Sequence, residues 1–340
     1  MPADVAEHGR RAGRAAHRAL VTAPMRGPGL EKLARLAEVV HEPWTDQHPL
    51  RLYDGPALAE RLRSEGADIL VVEADLVNGP VFELPLVAVA ATRGDPNNVD
   101  VAAATAARVP VLHTPGRNAD AVAELALGLL ITVTRGVLAA DADVRALAVF
   151  REGTIPYQRF RGWELAGHRA AIVGYGAVGR ALAWRLEALG MDIATYDPYV
   201  EQAGKDLEAA VKEADVVSLH AAVTAETVGF FGREQFSWMR PGSVFLNTAR
   251  AKLHDMDALV QALASGHLAG AGLDHFEGEQ LPEGHPLLAM PNVVLTPHIG
   301  GATTGTEARG AQMVADDLER LVTGQKPLHI VNPEALEKTR

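Results

Sequence analysis

The chain has no cysteine among its 340 residues, so a disulfide framework, a thiolate metal site and a cysteine nucleophile are all excluded. It has no excess of basic residues either. The formal net charge of −11 at pH 7 argues against a general surface for nucleic acid or anionic membranes. Long apolar runs are also missing: the longest, residues 125–133, is too short to span a bilayer and is predicted to be a buried helix. We therefore expect a cytoplasmic protein with neither nucleic acid nor membrane as a partner.

Apolar runs typical of strands alternate with helical patterns along the chain, which predicts parallel sheets of the α/β class. The length suits two domains. Helical patterns are predicted at residues 30–40, 56–64, 119–138, 178–189 and 304–322. Strands are predicted at residues 20–22, 69–72, 86–91 and 109–112, and in a second series at 170–173, 191–196, 216–219, 244–246, 270–273 and 293–296. The helix at 304–322 follows the second series, so we expect it to return to the first domain and to make that domain discontinuous.

Three glycines in the middle of the chain form a GxGxxG pattern after an apolar strand: Gly174, Gly176 and Gly179. About 18 residues later a second predicted strand ends at Asp197, the arrangement typical of a dinucleotide site. Asp197 would accept hydrogen bonds from ribose hydroxyls and repel a 2′-phosphate, which favours NAD over NADP. Purely structural alternatives stay open, since the glycines could serve packing alone and Asp197 could cap a turn.

Three polar side chains follow strands of the second series, at the edge where open parallel sheets bind their ligands: Arg250, Glu279 and His298. A histidine can transfer a proton near neutral pH, and a neighbouring carboxylate stabilises the imidazolium. An arginine can pair with a carboxylate and with a carbonyl oxygen that gains negative charge. The set suits reduction of a 2-keto acid. Each residue also has a purely structural interpretation. Arg250 could belong to a solvated ion pair, Glu279 could be one carboxylate of a polar loop, and His298 could simply bond to a backbone carbonyl.

These residues lie in segments that resemble the D-2-hydroxyacid dehydrogenases, and particularly their phosphoglycerate-dehydrogenase-like branch. The segments are residues 239–250 (MRPGSVFLNTAR), 271–279 (AGLDHFEGE) and 291–301 (PNVVLTPHIGG). They occur in the same order as in the family, and the resemblance covers roughly residues 19–333.

The resemblance implies that His298 exchanges a proton with the substrate, that Glu279 is its partner, and that Arg250 orients the substrate's carboxylate and carbonyl. Hydride would pass between the nicotinamide and C2. Bound NAD is implied and a metal ion is not. The implied cofactor-binding residues are Gly174, Gly176, Ala177, Val178, Gly179, Asp197, Ala222, Val223, Thr227, Thr248, Ala249, Arg250, Asp274, His298, Gly300 and Gly301.

The family fold implies two doubly wound parallel-sheet domains, with a Rossmann NAD-binding domain inserted into a flavodoxin-like substrate domain. We expect the NAD-binding domain at residues 118–301, the substrate domain at 19–117 and 302–340, and an N-terminal extension at 1–18. A homodimer formed by the NAD-binding domains is also implied.

The first domain carries the segment where family members bind the substrate carboxylate, which here includes Arg93 and Gly94. Together with Arg250 and His298 they are the implied substrate-binding residues, although Arg93 could be only a surface charge. Phosphoglycerate dehydrogenases usually carry an arginine after the second strand, where this chain has Glu73-Ala-Asp75, so phosphoglycerate is a doubtful substrate. An alternative function is that of a corepressor-like protein that senses NAD(H) and shows little turnover.

Overall fold

The computed structural model describes residues 17–151 and 153–337, and the chain divides into two compact units. One unit contains the residues up to Arg117 and those from Thr304 onward, and the other is Asn118–Thr303. Most of the predicted N-terminal extension, residues 1–16, lies outside the described residues.

Eleven strands and eleven α-helices are found in the described residues. The strands β1 to β11 are Arg18–Val21, Glu38–His41, Ile69–Val72, Ala88–Ala91, Val111–Leu112, Arg169–Val173, Asp192–Tyr196, Val216–Leu219, Ser243–Asn247, Leu268–Leu273 and Val293–Leu295. The helices α1 to α11 are Pro28–Leu36, Gly55–Glu65, Val101–Ala106, Ala119–Arg135, Val137–Arg145, Pro156–Arg159, Ala177–Ala188, Leu207–Lys212, Arg233–Trp238, Met256–Ala264 and Thr304–Val322. Short 3-10 helices lie in the loops at Trp44–Asp46, Gly79–Glu83, Ala251–Leu253, Glu277–Glu279, Pro286–Ala289 and Pro333–Leu336.

The first unit is built on a five-stranded parallel sheet in the order β2-β1-β3-β4-β5, which is the flavodoxin-like order. Alternate residues of its central strands face opposite sides. Ile69 and Val71 belong to a core with α1 and α11, whereas Leu70 and Val72 belong to a core with α2 and α3. Helices therefore cover both faces, and the sheet is doubly wound as predicted.

One strand of this sheet differs from the prediction. The helical pattern expected at residues 30–40 is helix α1, which ends at Leu36, followed by strand β2 at Glu38–His41. The paired valines of β2 are β-branched and favour an extended backbone. Strand β2 lies at the edge of the sheet and is only partly buried, so its hydrophobic pattern was too weak to separate it from the helix before it.

The second unit contains a six-stranded parallel sheet in the order β7-β6-β8-β9-β10-β11. Beyond β7 a single parallel bridge joins Tyr196 to Gly204. This bridge occupies the place of the third strand in the Rossmann order 3-2-1-4-5-6. Helices α4 and α7 pack on one face, and α8, α9 and α10 pack on the other. The strand order reverses between β6 and β8, which is where Rossmann domains bind their ligand.

The long helix predicted at residues 119–138 is interrupted. Helix α4 ends at Arg135, and Gly136 adopts a left-handed conformation with φ 58° before α5 begins. A left-handed glycine terminates helices because it has no Cβ to clash. Among the described residues no single helix is long and apolar enough to cross a membrane; α4 and α5 meet that criterion only as a pair, and they are bent by 64°.

Candidate functional site

The glycine pattern forms the turn between β6 and α7. At two of its positions only glycine fits, because there is no room for a Cβ atom. Gly174 has φ 94°, and a Cβ there would lie 2.5 Å from the backbone nitrogen of Ala221. A Cβ on Gly179 would lie 2.1 Å from the carbonyl oxygen of Gly174. Real Cβ atoms do not approach so closely, so these two glycines allow β6, α7 and the loop after β8 to pack together.

Gly176 differs from the other two glycines because open space surrounds it. A Cβ there would meet no described atom within 4 Å, and Gly176 is the N-cap of α7 without a side-chain cap. The first N–H groups of a helix, here those of Ala177 and Val178, have no acceptor within the helix. Free N–H groups at the positive end of a 12-residue helix, beside open space, fit the pyrophosphate of a dinucleotide.

Asp197 follows β7 and lies beside this turn. Its Oδ2 accepts a hydrogen bond from the backbone N–H of Tyr175 at 2.9 Å, and its Oδ1 accepts from those of Tyr199 and Val200 at 2.9 and 3.2 Å. Partial burial raises the pKa of Asp197, but these hydrogen bonds and Lys205 outweigh it and hold the pKa below its usual range. The carboxylate is therefore ionised and fixes the glycine turn to the end of β7.

The loop after β8 contains three predicted cofactor contacts: Ala222, Val223 and Thr227. The Thr227 hydroxyl donates to the carbonyl of Ala222 at 2.7 Å and accepts from the N–H of Thr224 at 2.7 Å, which closes the loop on itself. Ala222 and Val223 are exposed. Burial alone lowers the pKa of His220, just before this loop, to about 4, so its ring is neutral and structural.

Arg250 is positioned by the turn that follows β9. Asn247, the last residue of the strand, is 1% exposed. Its side chain accepts a hydrogen bond from the N–H of Ala249 at 3.0 Å and donates to the carbonyl of Arg250 at 2.9 Å. It also bonds to Nδ1 of the buried His254 at 2.9 Å. Thr248, in the same turn, has a buried hydroxyl without a hydrogen-bond partner among the described residues.

Asp274 holds the neighbouring loop in the same way. It follows β10, is 1% exposed, and accepts hydrogen bonds from the Thr296 hydroxyl at 2.6 Å and from the N–H groups of Ile299 and Gly300 at 2.9 and 2.8 Å. These bonds fix the loop after β11 that carries His298. A Cβ on Gly301 would lie 3.3 Å from the Asn118 amide nitrogen, which makes this part of the loop tightly packed. Thus Asn247, at the end of β9, and Asp274, just after the neighbouring β10, support two separate side chains of the predicted site.

His298 and Glu279 contact each other although 19 residues separate them. Nδ1 of His298 lies 3.0 Å from both carboxylate oxygens of Glu279. Both residues have a left-handed backbone, with φ 54° for His298 and φ 61° for Glu279. This conformation costs non-glycine residues about 1–3 kcal/mol each and is enriched at functional sites. With Nδ1 bonded to Glu279, the other nitrogen of the ring, Nε2, is the one that can exchange a proton with a substrate.

Arg250 and His298 are linked by His275, a residue to which the sequence analysis gave no role. Nη1 of Arg250 lies 3.4 Å from Nε2 of His275, and the ring centroids of His275 and His298 are 3.7 Å apart. Burial, with smaller contributions from the neighbouring His298 and Arg250, lowers the pKa of His275 to about 3. The only available signal in the sequence was its position directly after Asp274, at the end of a strand.

His275, Glu279 and His298 also offer three possible metal-ligand atoms within 4.8 Å of one another. Two imidazoles and one carboxylate are ligands that zinc accepts in proteins. However, the guanidinium of Arg250 already contacts Nε2 of His275, so a cation bound there would meet a fixed positive charge. The geometry favours an anionic ligand at this place.

Arg93 and Gly94, the predicted contacts for the substrate carboxylate, belong to the first unit and follow β4. Nη1 of Arg93 donates to the carbonyl of Glu73 at 3.3 Å. The Glu73 carboxylate forms an ion pair with Arg117 and accepts from the Trp44 indole at 3.3 Å. Asp75 is buried and accepts from the N–H of Tyr53 at 2.7 Å. These two acidic residues are therefore held by other groups of the first unit.

Comparison with known proteins identifies a family. The family model described as D-isomer specific 2-hydroxyacid dehydrogenase, NAD binding domain, matches residues 127–300. A glyoxylate reductase of Thermofilum pendens is 35% identical over 323 residues, which are 91% of this chain and 93% of that protein.

Solved structures give the same result. The TT0316 protein from Thermus thermophilus is 36% identical, with a TM-score of 0.77 over 92% of this chain and 99% of that one. An NADPH-dependent glyoxylate/hydroxypyruvate reductase from Sinorhizobium meliloti, in complex with citrate, is 28% identical, with a TM-score of 0.74 over 95% of this chain and 100% of that one.

Proposed function

Because this chain belongs to the family of D-isomer specific 2-hydroxyacid dehydrogenases, and is therefore an NAD-dependent oxidoreductase, we propose that it interconverts a small 2-keto acid and its D-2-hydroxy acid. The observation that carries the proposal is the cluster formed by Arg250, His275, His298 and Glu279, which come from three loops of the second unit. It offers a fixed cation, a proton donor and an acidic partner within a few ångströms.

Each catalytic group has a role that its contacts support. NADH, when bound, supplies the hydride that adds to C2 of the keto acid. His298, as the imidazolium, gives the proton at Nε2 to the carbonyl oxygen and becomes neutral. Glu279 stabilises the imidazolium beforehand by accepting a hydrogen bond from Nδ1–H. Arg250 pairs with the substrate carboxylate and with the carbonyl oxygen as that oxygen becomes negative. In the opposite direction, neutral His298 accepts the proton of the hydroxyl group.

We assign the cofactor to the second unit and the substrate loop with Arg93 and Gly94 to the first. The turn at Gly176 and the start of α7 would hold the pyrophosphate, and Asp197 would hold the adenosine ribose. The loop at Ala222, Val223 and Thr227 would add contacts. The nicotinamide half would lie near Thr248, Ala249, Asp274 and the Gly300-Gly301 backbone.

Asp197 should decide the choice between the two nicotinamide cofactors. Its ionised carboxylate would repel a 2′-phosphate, so we expect higher kcat/KM with NADH than with NADPH. Replacing Asp197 by serine should lower this preference by about 10- to 100-fold, because one repulsion and a pair of ribose hydrogen bonds are lost together. Asp192→Ser is the matched control, since Asp192 is an exposed carboxylate at the opposite end of the same strand. Equal use of both cofactors by the unaltered enzyme would contradict the assignment.

We propose that the substrate has a short, uncharged side chain, and glyoxylate is the first compound to test. Relatives named glyoxylate reductase support this class. Glu73 supports it too, because it stands where phosphoglycerate dehydrogenases usually carry an arginine. Assays with glyoxylate, hydroxypyruvate, pyruvate and phosphohydroxypyruvate should show NADH oxidation with the small acids, and a kcat/KM lower by about tenfold or more with the phosphorylated one. If protein that binds NADH oxidises it with none of these acids, the enzyme proposal fails in favour of NAD(H) sensing.

We further propose that the chain forms a homodimer through the second unit. Helix α5 and the segment after it expose a group of large apolar side chains: Val137, Leu138, Val144, Leu147, Phe150, Ile155 and Tyr157. Large apolar side chains exposed in such number within one stretch of chain support an interface with another protein surface. Sedimentation velocity at micromolar concentration should give twice the mass of one chain, and a monomer would refute the proposal.

A further inference from the structure

His275 is a buried histidine that lies against two of the proposed catalytic groups. It is 5% exposed and directly follows the end of β10. One side of its ring contacts the imidazole of His298, with the centroids 3.7 Å apart and the ring planes inclined by 51°. Its Nε2 faces Nη1 of Arg250 at 3.4 Å. No other described residue contacts both Arg250 and His298 through hydrogen bonds or ring contacts in this way.

The charge state of His275 suits it to hold an arginine. Burial keeps the pKa of His275 far below that of a free histidine; His298 and Arg250 act in the same direction and Glu279 in the opposite one. The ring is therefore neutral at neutral pH, and Nε2 can be an acceptor when Nδ1 carries the proton. A protonated ring would instead repel the guanidinium.

The contacts of Arg250 show what this acceptor does. Nη1 of Arg250 also donates to the backbone carbonyl of Ala249 at 2.7 Å. The two protons on Nη1 thus have two acceptors, one from its own loop and one from His275. This leaves the edge formed by Nε and Nη2 for a ligand, and that edge binds a carboxylate through two parallel hydrogen bonds.

We propose that His275 is a positioning residue, which orients the Arg250 guanidinium toward the substrate carboxylate by accepting a hydrogen bond from Nη1 and supports the imidazole of His298 with its ring. This inference rests on the proposed function, because it assigns the orientation of groups within that same site. It predicts that the nitrogen acceptor governs substrate binding and that the ring governs the chemical rate. The two functions can be separated by substitution.

Two variants of His275 separate the function of the nitrogen acceptor from that of the ring. His275→Phe keeps an aromatic ring and removes the acceptor, whereas His275→Gln keeps an acceptor at about the place of Nε2 and removes the ring. For His275→Phe we expect oxalate to bind the enzyme–NADH complex about tenfold more weakly by calorimetry, as for loss of one hydrogen bond to a charged group. Its KM for glyoxylate should rise by a similar factor, with kcat within about threefold of the unaltered enzyme.

His275→Gln should show the reverse pattern. Oxalate affinity should return to within about threefold of the unaltered enzyme, while kcat falls because His298 loses its supporting ring. A purely space-filling role predicts instead that glutamine harms oxalate binding as much as phenylalanine does, and that result would overturn the proposal. Unchanged oxalate affinity in His275→Phe would overturn it as well. NADH binding, followed by fluorescence, reports on folding; His275→Leu, which also lacks an acceptor, replaces the phenylalanine variant if that variant does not bind NADH.

A double-mutant cycle tests whether the effect passes through Arg250. In an Arg250→Lys background, where the forked donor is gone, adding His275→Phe should weaken oxalate binding by less than about twofold more. Independent, additive losses would show that His275 acts by another route and would refute the proposal. Turnover of glyoxylate by the unaltered enzyme reports on the proposed function, and oxalate binding by the variants reports on His275, so failure of one is distinguishable from failure of the other.

Discussion

Replacing His298 by alanine is expected to lower kcat for glyoxylate reduction by about two to four powers of ten, as for the loss of a general acid. The physical reason is that, within the part of the chain that the structure describes, no other acid is held beside His298: its partner Glu279 bonds to Nδ1, and the neighbouring His275 is neutral. The affinity for NADH, measured by fluorescence titration, should stay within about threefold. An unchanged kcat would rule out His298 as the proton donor.

The left-handed backbone at His298 requires a second variant. Alanine tolerates φ 54° poorly, so part of any loss could come from a displaced loop. Asparagine adopts this conformation more readily and also lacks an acid of suitable pKa. His298→Asn should therefore lose as much activity as His298→Ala while its thermal unfolding stays close to that of the unaltered protein. Recovery of activity in the asparagine variant would assign the effect to the backbone and not to the imidazole.

Glu279 should contribute less than His298. Glutamine in its place can still accept a hydrogen bond from Nδ1–H but cannot stabilise the imidazolium with a negative charge, so Glu279→Gln should lower kcat by about 10- to 100-fold. The chain offers a matched control in Glu277→Gln, since Glu277 is an exposed carboxylate in the same short 3-10 helix. A loss of equal size in both variants would indicate a change in the loop and would contradict a specific role for Glu279.

The fold could be predicted from hydrophobic patterns wherever an element is buried. Strands β3 and β8 lie at the predicted residues 69–72 and 216–219, and every residue of both is buried. The predicted α/β class with two parallel sheets and the predicted family are both confirmed. Strand β2 was missed because an edge strand with partly exposed valines does not show that pattern. The break between α4 and α5 at Gly136 was missed because the helical apolar pattern continues on both sides of it, and that pattern does not indicate the φ angle of a single residue.

The predicted catalytic set followed from one rule, that polar residues after parallel strands meet at one edge of the sheet. The rule selected Arg250, Glu279 and His298, and it does not reveal which neighbours hold them. Asn247 holds backbone groups only two and three residues further on, but Asp274 holds N–H groups 25 and 26 residues away, and such distant partners are set by tertiary packing. His275 could not be identified for the same reason, because its proposed role depends on its contacts with Arg250 and His298, which only the folded structure shows.

Replacing Arg250 by lysine is expected to lower kcat/KM for glyoxylate by about three to four powers of ten, although the charge is kept. A lysine ammonium is a point donor and cannot offer two parallel N–H groups to a carboxylate. Loss of a donor to an oxygen that becomes negative costs about two to three powers of ten in kcat, and weaker carboxylate binding raises KM in addition. Steady-state assays with NADH at saturation separate the two contributions.

The control for Arg250 is Arg240→Ala, because Arg240 precedes β9 whereas Arg250 follows it, and Arg240 forms an ion pair with Asp215 at 2.7 Å. It should keep its activity. Chemical rescue makes the test specific: millimolar guanidinium should restore part of the activity of Arg250→Ala, since the free ion can occupy the space left by the side chain and offer the same forked donors. Rescue requires that the free guanidinium ion finds the acceptors that Nη1 of Arg250 uses, so it should be weaker when His275 is also replaced by phenylalanine. Activity that is insensitive to Arg250 would mean that another cation binds the keto acid, and the proposed site would then be wrong in its central contact.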